Sequence, residues 1–301
     1  MQEEDVIIPE SFDWREDHPD CVQPAPSAST NCSSSYVLTA LSAIEDRICA
    51  APGSKGQVKL SAQEILDCDK GNHGCSGGYT SRVFNWGKRK GFIPETCYET
   101  TGEQGECPDD HMTDNNCRLT NNFYRVMDYC LAQDIIGIKK EILKNGPVIG
   151  QLTPYTDFLT YKEGIYSRTQ EAFKFPGNHL VKVVGWETQP NESMAWIVEN
   201  SWGEDWGDNG YAKIMSGGET SLDFYAIGVA VYPMSMADYY AQQQQTAQTS
   251  FQTTMGDAMG DQIKATINEG IQNNFELGDG FEIYDEGEIF EAETDEIDPD
   301  L

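Results

Sequence analysis

The stretch TNCSSSYVLTALSAIEDRICA, Thr30 to Ala50, sets a cysteine and three serines at the mouth of an amphipathic helix. A thiol at a helix N-terminus has its pKa lowered by the macrodipole and by a neighbouring imidazolium, so a standing thiolate can attack an amide carbonyl. A hydroxyl has no accessible anion near neutral pH and depends on a histidine base steadied by a carboxylate. Ser35 is therefore either a nucleophile that leans on a base or an inert serine at a helix start, where serine also serves as a cap. On these residues alone both readings stay open.

Periodicity outlines the elements that would position it. Val37, Leu41, Ile44 and Ile48 recur at intervals of four, three and four, predicting a helix from near Ser34 to the CAAPG break. SAQE, Ser61 to Glu64, reads as a capping box opening a short helix through Leu66. YTSRVFNWGKRKG reads as a third helix stopped by Gly91, and DIIGIKKEILKNGPV as a fourth ended by Asn145-Gly146-Pro147. Beyond it GPVIGQLTP, HLVKVVGWE, AWIVENSW, GYAKIMS and FYAIGVAVYP read as strands separated by Gly, Asn and Pro clusters. Helices first and strands after predict an α+β chain of two subdomains with a cleft between them.

The net charge of −30 over 301 residues excludes nucleic acid as a partner, because phosphate binding needs clustered Lys and Arg. No run of 18 apolar residues exists, so no membrane span is expected. Residues 235–301 carry 16 Asp and Glu against the single Lys264, which is half of the whole charge in less than a quarter of the length. That composition cannot bury enough apolar surface to fold alone. The globular domain is placed at residues 8–233 and an acidic, Gln-containing extension at 234–301. Met255, Met259, Ile263, Ile267, Ile271 and Phe275 recur every four residues, a stripe that winds around a helix and suits an obliquely crossing protein partner.

All nine cysteines precede residue 131, in loop-rich stretches such as DCDKGNHGCSGG, and no CxxC pair is present. A disulfide framework fits this better than a metal site, and it implies an oxidising compartment. The odd thiol is assigned to Cys130, as a buried free cysteine in the apolar run VMDYCLAQDII. Asn31 and Asn191 head N-glycosylation sequons, of which Asn191, in a polar loop, is the better acceptor. No cofactor and no metal are expected.

IPESFDWRED, CSSSY, LSAQEILDCD, GCSGGY, NGPV, NHLVKVVGW and NSWGEDWGDNGY occur in the order and spacing of the papain-like cysteine peptidases. DRICA, the early Cys21, KRKGFI, KNGPVIG and YTDFLTYKEGIYS make the chain most similar to cathepsin B within them. The resemblance covers about residues 8–233 and implies a helical left subdomain and a β-barrel-like right one, with a peptide cleft between. It implies His179 as base, Asn200 as the residue orienting it, and Trp202 as the indole shielding their contact. Gly77 and Gly78 match the glycines whose backbone pairs with an extended peptide, and Tyr225 lies near the base of the specificity pocket. The same resemblance implies disulfides Cys32–Cys75 and Cys21–Cys49, with Cys68–Cys107 and Cys97–Cys117 following cathepsin B's crossing pattern. It places the protein in the secretory pathway, a lysosome-like compartment or outside the cell.

The departures from the family pattern gather on the nucleophile side. Where the family carries CGSCW this chain has Cys32-Ser33-Ser34-Ser35-Tyr36, so Ser35 holds the nucleophile position. Ser29 stands where the family keeps a glutamine that donates to the oxyanion. Loss of one such donor typically costs on the order of 100- to 1000-fold in rate. Cathepsin B's paired-histidine occluding loop is missing too, since only His111 lies between Cys97 and Cys117. The reading is a catalytically silent papain-fold protein that binds a peptide or protein in its cleft and a protein partner through its tail. The alternative is an endopeptidase using Ser35 with His179.

Overall fold

A computed structural model describes residues 6–111, 115–218 and 220–255. The stripe of methionines and isoleucines assigned to the tail falls beyond the described side chains. Contacts divide the chain after Gln242. Of the second unit only the polar end of a helix is described.

The first unit has two large apolar cores and two small ones, around Trp14 and around Ile93. The first large core forms around helix α2, Ser35–Ala50, which is joined by α3, Ala62–Cys68, and α4, Thr80–Arg89. Val37, Leu41, Ile44 and Ile48 are all buried, as their spacing requires. Yet so is nearly everything else on α2 after Ser35, including the consecutive charges Glu45, Asp46 and Arg47. Ser61 caps α3 by accepting from the Glu64 N–H at 3.0 Å, but the Glu64 carboxylate does not complete the box. It turns inward to His111 at 2.8 Å and to Arg118. The left-handed Gly91 (φ +74°) stops α4.

The second core lies on the sheet. Strands β1 (Phe12–Asp13), β2 (Val126–Gln133), β3 (Val148–Leu152), β4 (Ile165–Tyr166), β5 (His179–Thr188), β6 (Met194–Glu199), β7 (Tyr211–Met215) and β8 (Tyr225–Val231) run in the order β2-β8-β3-β5-β6-β7-β4, with β1 beside β5. All pair antiparallel except β4 with β7. The path is open, so the likeness to a barrel stops short of closure. Among the remaining helices, α1 is Trp14–Asp17, α5 Asn116–Leu119, α6 Asp134–Asn145 and α7 Met236–Met255. Ile138 and Ile142 of α6 pack into the sheet core beside Val148 and Val183. Helix α7 starts three residues past the boundary placed at 233; Met236 is buried against Ile93 and Phe123, and Ser235 Oγ accepts from the Asp238 N–H at 3.2 Å.

Cysteines pair as 21–49, 32–75, 68–107 and 97–117. Cys130 is free, but it is exposed, which corrects its assignment to the interior. The reason is β2 itself, whose run VMDYCLAQ is the end strand of the sheet and buries only Val126 and Ala132. Burial and the nearby Glu141 still push the Cys130 thiol above its ordinary pKa. The native protein is therefore expected to release one equivalent of chromophore from a disulfide reagent, and the rate should keep rising with pH beyond the ordinary thiol range. A titration showing no reactive thiol before denaturation would contradict this placement.

Glu45 is fully enclosed. Burial raises its carboxyl to about 7, although Lys59 at 3.1 Å and the Leu60 N–H at 2.7 Å oppose the shift. A carboxyl whose folded pKa lies above its unfolded one contributes stability in acid that is lost as pH rises to the folded value. Relative to Glu45→Gln, the natural chain should lose on the order of 3 kcal/mol between pH 4.5 and 7. Denaturant melts of both proteins across that range check it; parallel pH profiles would refute it.

Candidate active site

Ser34 and Ser35 open α2, with Ser34 as the N-cap residue. The Cys32–Cys75 disulfide and the Ser33 N–H to Cys75 carbonyl bond, 2.9 Å, bind this turn to the loop carrying Gly77 and Gly78. Gly77 takes φ +102°. A Cβ on Gly78 would come within 2.4 Å of Asn72 Oδ1 and 2.7 Å of the Tyr36 ring. Both positions require glycine. Tyr36 is buried, and its hydroxyl donates to the Gly74 carbonyl at 3.1 Å.

The opposite wall comes from the sheet. His179 begins β5 and Asn200 follows β6, so the hairpin brings them together. His179 Nε2 lies 2.6 Å from Asn200 Oδ1, which also accepts the Ser201 backbone N–H at 2.8 Å. An oxygen that receives a backbone N–H is an acceptor, so the imidazole proton sits on Nε2 and Nδ1 keeps its lone pair. Trp202 covers the histidine, with ring centroids 4.8 Å apart. Burial lowers the His179 pKa and outweighs the Asn200 contact that would raise it. Near neutral pH the ring is therefore uncharged, in the form that accepts a proton.

A cavity of about 450 Å³ joins Ser35, Gly77 and Gly78 to Ile149, Leu180 and Tyr225. Tyr225 donates its hydroxyl to Gln151 Oε1 at 3.0 Å, so its ring edges the cavity and Ile227 fills the wall beside it. Ile227 is a site residue that strand reading alone did not single out; its β8 position two residues past Tyr225, facing the same side, is the signal that could have found it. Trp202 and His179 stand outside this cavity wall. Ser29 does too; its carbonyl accepts from the Cys32 N–H at 3.1 Å, and its Cβ lies 3.8 Å from where Gly102 would carry one. A larger cavity of about 570 Å³ lies apart from these residues, between α1, the end of α2, α6 and β8.

His111 is buried against Glu64 with its ring edge on Tyr98. It holds α3 in place and is not free to receive a substrate carboxylate. Among the described residues no group of His, Cys, Asp and Glu gathers as a metal site, and no helix is long and apolar enough to cross a membrane.

Comparison with known proteins agrees with this geometry. The family described as Papain family cysteine protease matches residues 8–233, and the chain belongs to it. Within that family it is cathepsin B-like. It is 33% identical over 211 residues to Cathepsin B-like CP3 of Giardia intestinalis, covering 69% of each chain. With Cathepsin B-like cysteine proteinase 1 of Ostertagia ostertagi it shares 32% over 247 residues, 72% of this chain and 71% of the other. Among solved structures, procathepsin B S9 from Trypanosoma congolense superposes with a TM-score of 0.67 at 28% identity, covering 76% of this chain and 79% of that one.

Proposed function

We propose that this cathepsin B-like domain has given up efficient peptide hydrolysis and uses its cleft to bind an extended peptide or a protein segment. The observation that carries the reading is the pairing of a complete base side with a hydroxyl in the nucleophile's place. His179, Asn200 and Trp202 are assembled, but Ser35 has neither a thiolate nor a carboxylate-backed histidine to replace it. Ser29 is too short to supply the oxyanion donor that its position would give. The glycines and the uncharged wall of Ile149, Leu180 and Ile227 favour a bound strand with an apolar side chain in the cavity. With His111 enclosed, removal of C-terminal dipeptides is not part of the reading. Four disulfides support a secretory, lysosome-like or extracellular setting, in which the exposed Asn191 turn could carry a glycan. The acidic tail is assigned a protein partner on its composition and on the apolar stripe from Met255 to Phe275.

A second reading keeps Ser35 as a slow nucleophile, and one observation favours it. A neutral His179 is what a serine needs for general-base help. Hydrolysis of a fluorogenic peptide library by the protein and by Ser35→Ala, from pH 4 to 8, separates the two. Equal, background rates support binding without turnover; activity lost with Ser35→Ala establishes the peptidase and overturns the first reading.

A further inference from the structure

Helix α2 carries a second stripe. Ser35, Thr39, Ser42 and Asp46 recur at intervals of four, three and four, parallel to the apolar stripe but polar throughout. On a surface helix such residues would face water. Here Thr39, Ser42 and Asp46 are buried, and each meets the strands that carry the base. Thr39 Oγ1 donates to the Leu180 carbonyl at 3.1 Å, one residue past His179. Lys182 Nζ, on the same strand, donates to Ser42 Oγ at 2.8 Å and to Asp46 Oδ2 at 2.6 Å. Its third contact is Glu199 Oε2 at 2.8 Å, its cross-strand neighbour on β6 and the residue before Asn200. Glu199 in turn accepts the hydroxyls of Ser42 at 2.6 Å and Tyr211 at 2.8 Å.

We infer that Lys182 is a positioning residue whose buried ammonium sets where α2 stands along β5 and β6, and with it where Ser35 stands against His179 and Asn200. An ammonium has three protons, and here each has a different acceptor, one on α2's Ser42, one on its Asp46 and one on β6. Slipping α2 by one turn, about 5.4 Å, would break the Thr39, Ser42 and Asp46 rungs at once and leave the Asp46 carboxylate in the interior without its ammonium, while Lys182 keeps only its cross-strand partner Glu199. Apolar packing tolerates such slips far better, because one isobutyl group resembles another. Buried ion clusters are often no more stabilising than apolar residues of the same volume, so what this one supplies is uniqueness of register. The inference uses the cleft reading only to locate Ser35 opposite His179. It needs no turnover, and an inactive protein leaves it standing.

The test reads the ring proton that His179 holds between Nε2 and Asn200. In the natural chain this proton should give a slowly exchanging, downfield resonance, assigned by its disappearance in His179→Gln. In Lys182→Met its exchange should quicken at least tenfold, in Ser42→Ala by a smaller factor, and in Lys182→Arg it should return close to the original rate. Ile44→Ala supplies the contrast, since it loosens the apolar stripe of the same helix; it should lower the melting temperature yet leave the ring proton slow. Unchanged exchange in Lys182→Met overturns the inference, as does an acceleration in Ile44→Ala that matches it. Should Lys182→Met not fold, Ser42→Ala decides, and an unaltered rate there overturns it equally.

Discussion

On a Ser35→Cys background, adding Ser29→Gln should raise peptide hydrolysis by about 100- to 1000-fold, the usual worth of one oxyanion donor. Ser35→Cys by itself puts a thiol at the start of a 16-residue helix, where the dipole favours its anion. The neutral His179 can take that proton on Nδ1, because Asn200 already holds Nε2. What remains lacking is a donor for the carbonyl oxygen as it becomes negative, and a glutamine at position 29 has the reach that serine lacks. Initial rates on a substrate with an apolar side chain for the Ile149 and Ile227 wall, measured near pH 6, check both steps. A gain of less than about threefold from Ser29→Gln would mean that position 29 does not face the reacting carbonyl.

Arg47→Met should cost on the order of 3–5 kcal/mol of stability, as breaking one side of a buried ion pair usually does. The guanidinium is the hub where α2 meets the sheet half of the molecule. Its Nε donates to the Pro147 carbonyl at 2.8 Å and Nη2 to that of Gly146 at 2.9 Å. Nη1 serves both Glu141 at 3.0 Å and the Val229 carbonyl at 2.7 Å. Methionine fills much of the volume but removes the guanidinium from three carbonyls and leaves the Glu141 carboxylate with only the Asn145 amide, 2.8 Å away. For a domain of this size the melting temperature should fall by roughly 6–20 °C. Arg47→Lys should recover less than half of that, because a compact ammonium cannot reproduce a planar fork addressing four acceptors. A calorimetric shift below about 3 °C for Arg47→Met would show that water reaches these groups.

Much of the site was legible in the chain itself. His179 and Asn200 sit in strand and post-strand motifs whose order fixes the hairpin, and Ser35 heads a helix whose apolar stripe is plain. Arg47, Glu45 and Asp46 were not legible as interior groups, because a run of charges on a helix looks like a solvated face. Their partners lie as far as 182 positions away, at Val229, and only the closed fold brings them together. Cys130 failed for the opposite reason. Its neighbours Met127 and Leu131 are apolar, but on this end strand both stay exposed, so local hydrophobicity overstated burial. Ile227 escaped because a fully apolar strand does not announce which of its faces lines a cavity.

The pairing of β1 with β5 ties Phe12 to Trp186, residues 174 positions apart. On a ribosome adding about 5–20 residues each second, the first strand made must wait roughly 10–35 s for the strand it joins. Helix α2 is completed early in that interval, and of its three consecutive charges Glu45 meets Lys59 and Leu60 soon after, whereas Arg47 waits for α6 and β8 and Asp46 for Lys182 of β5. All four disulfides lie between Cys21 and Cys117, so every cysteine of the framework is made before the strand that β1 awaits.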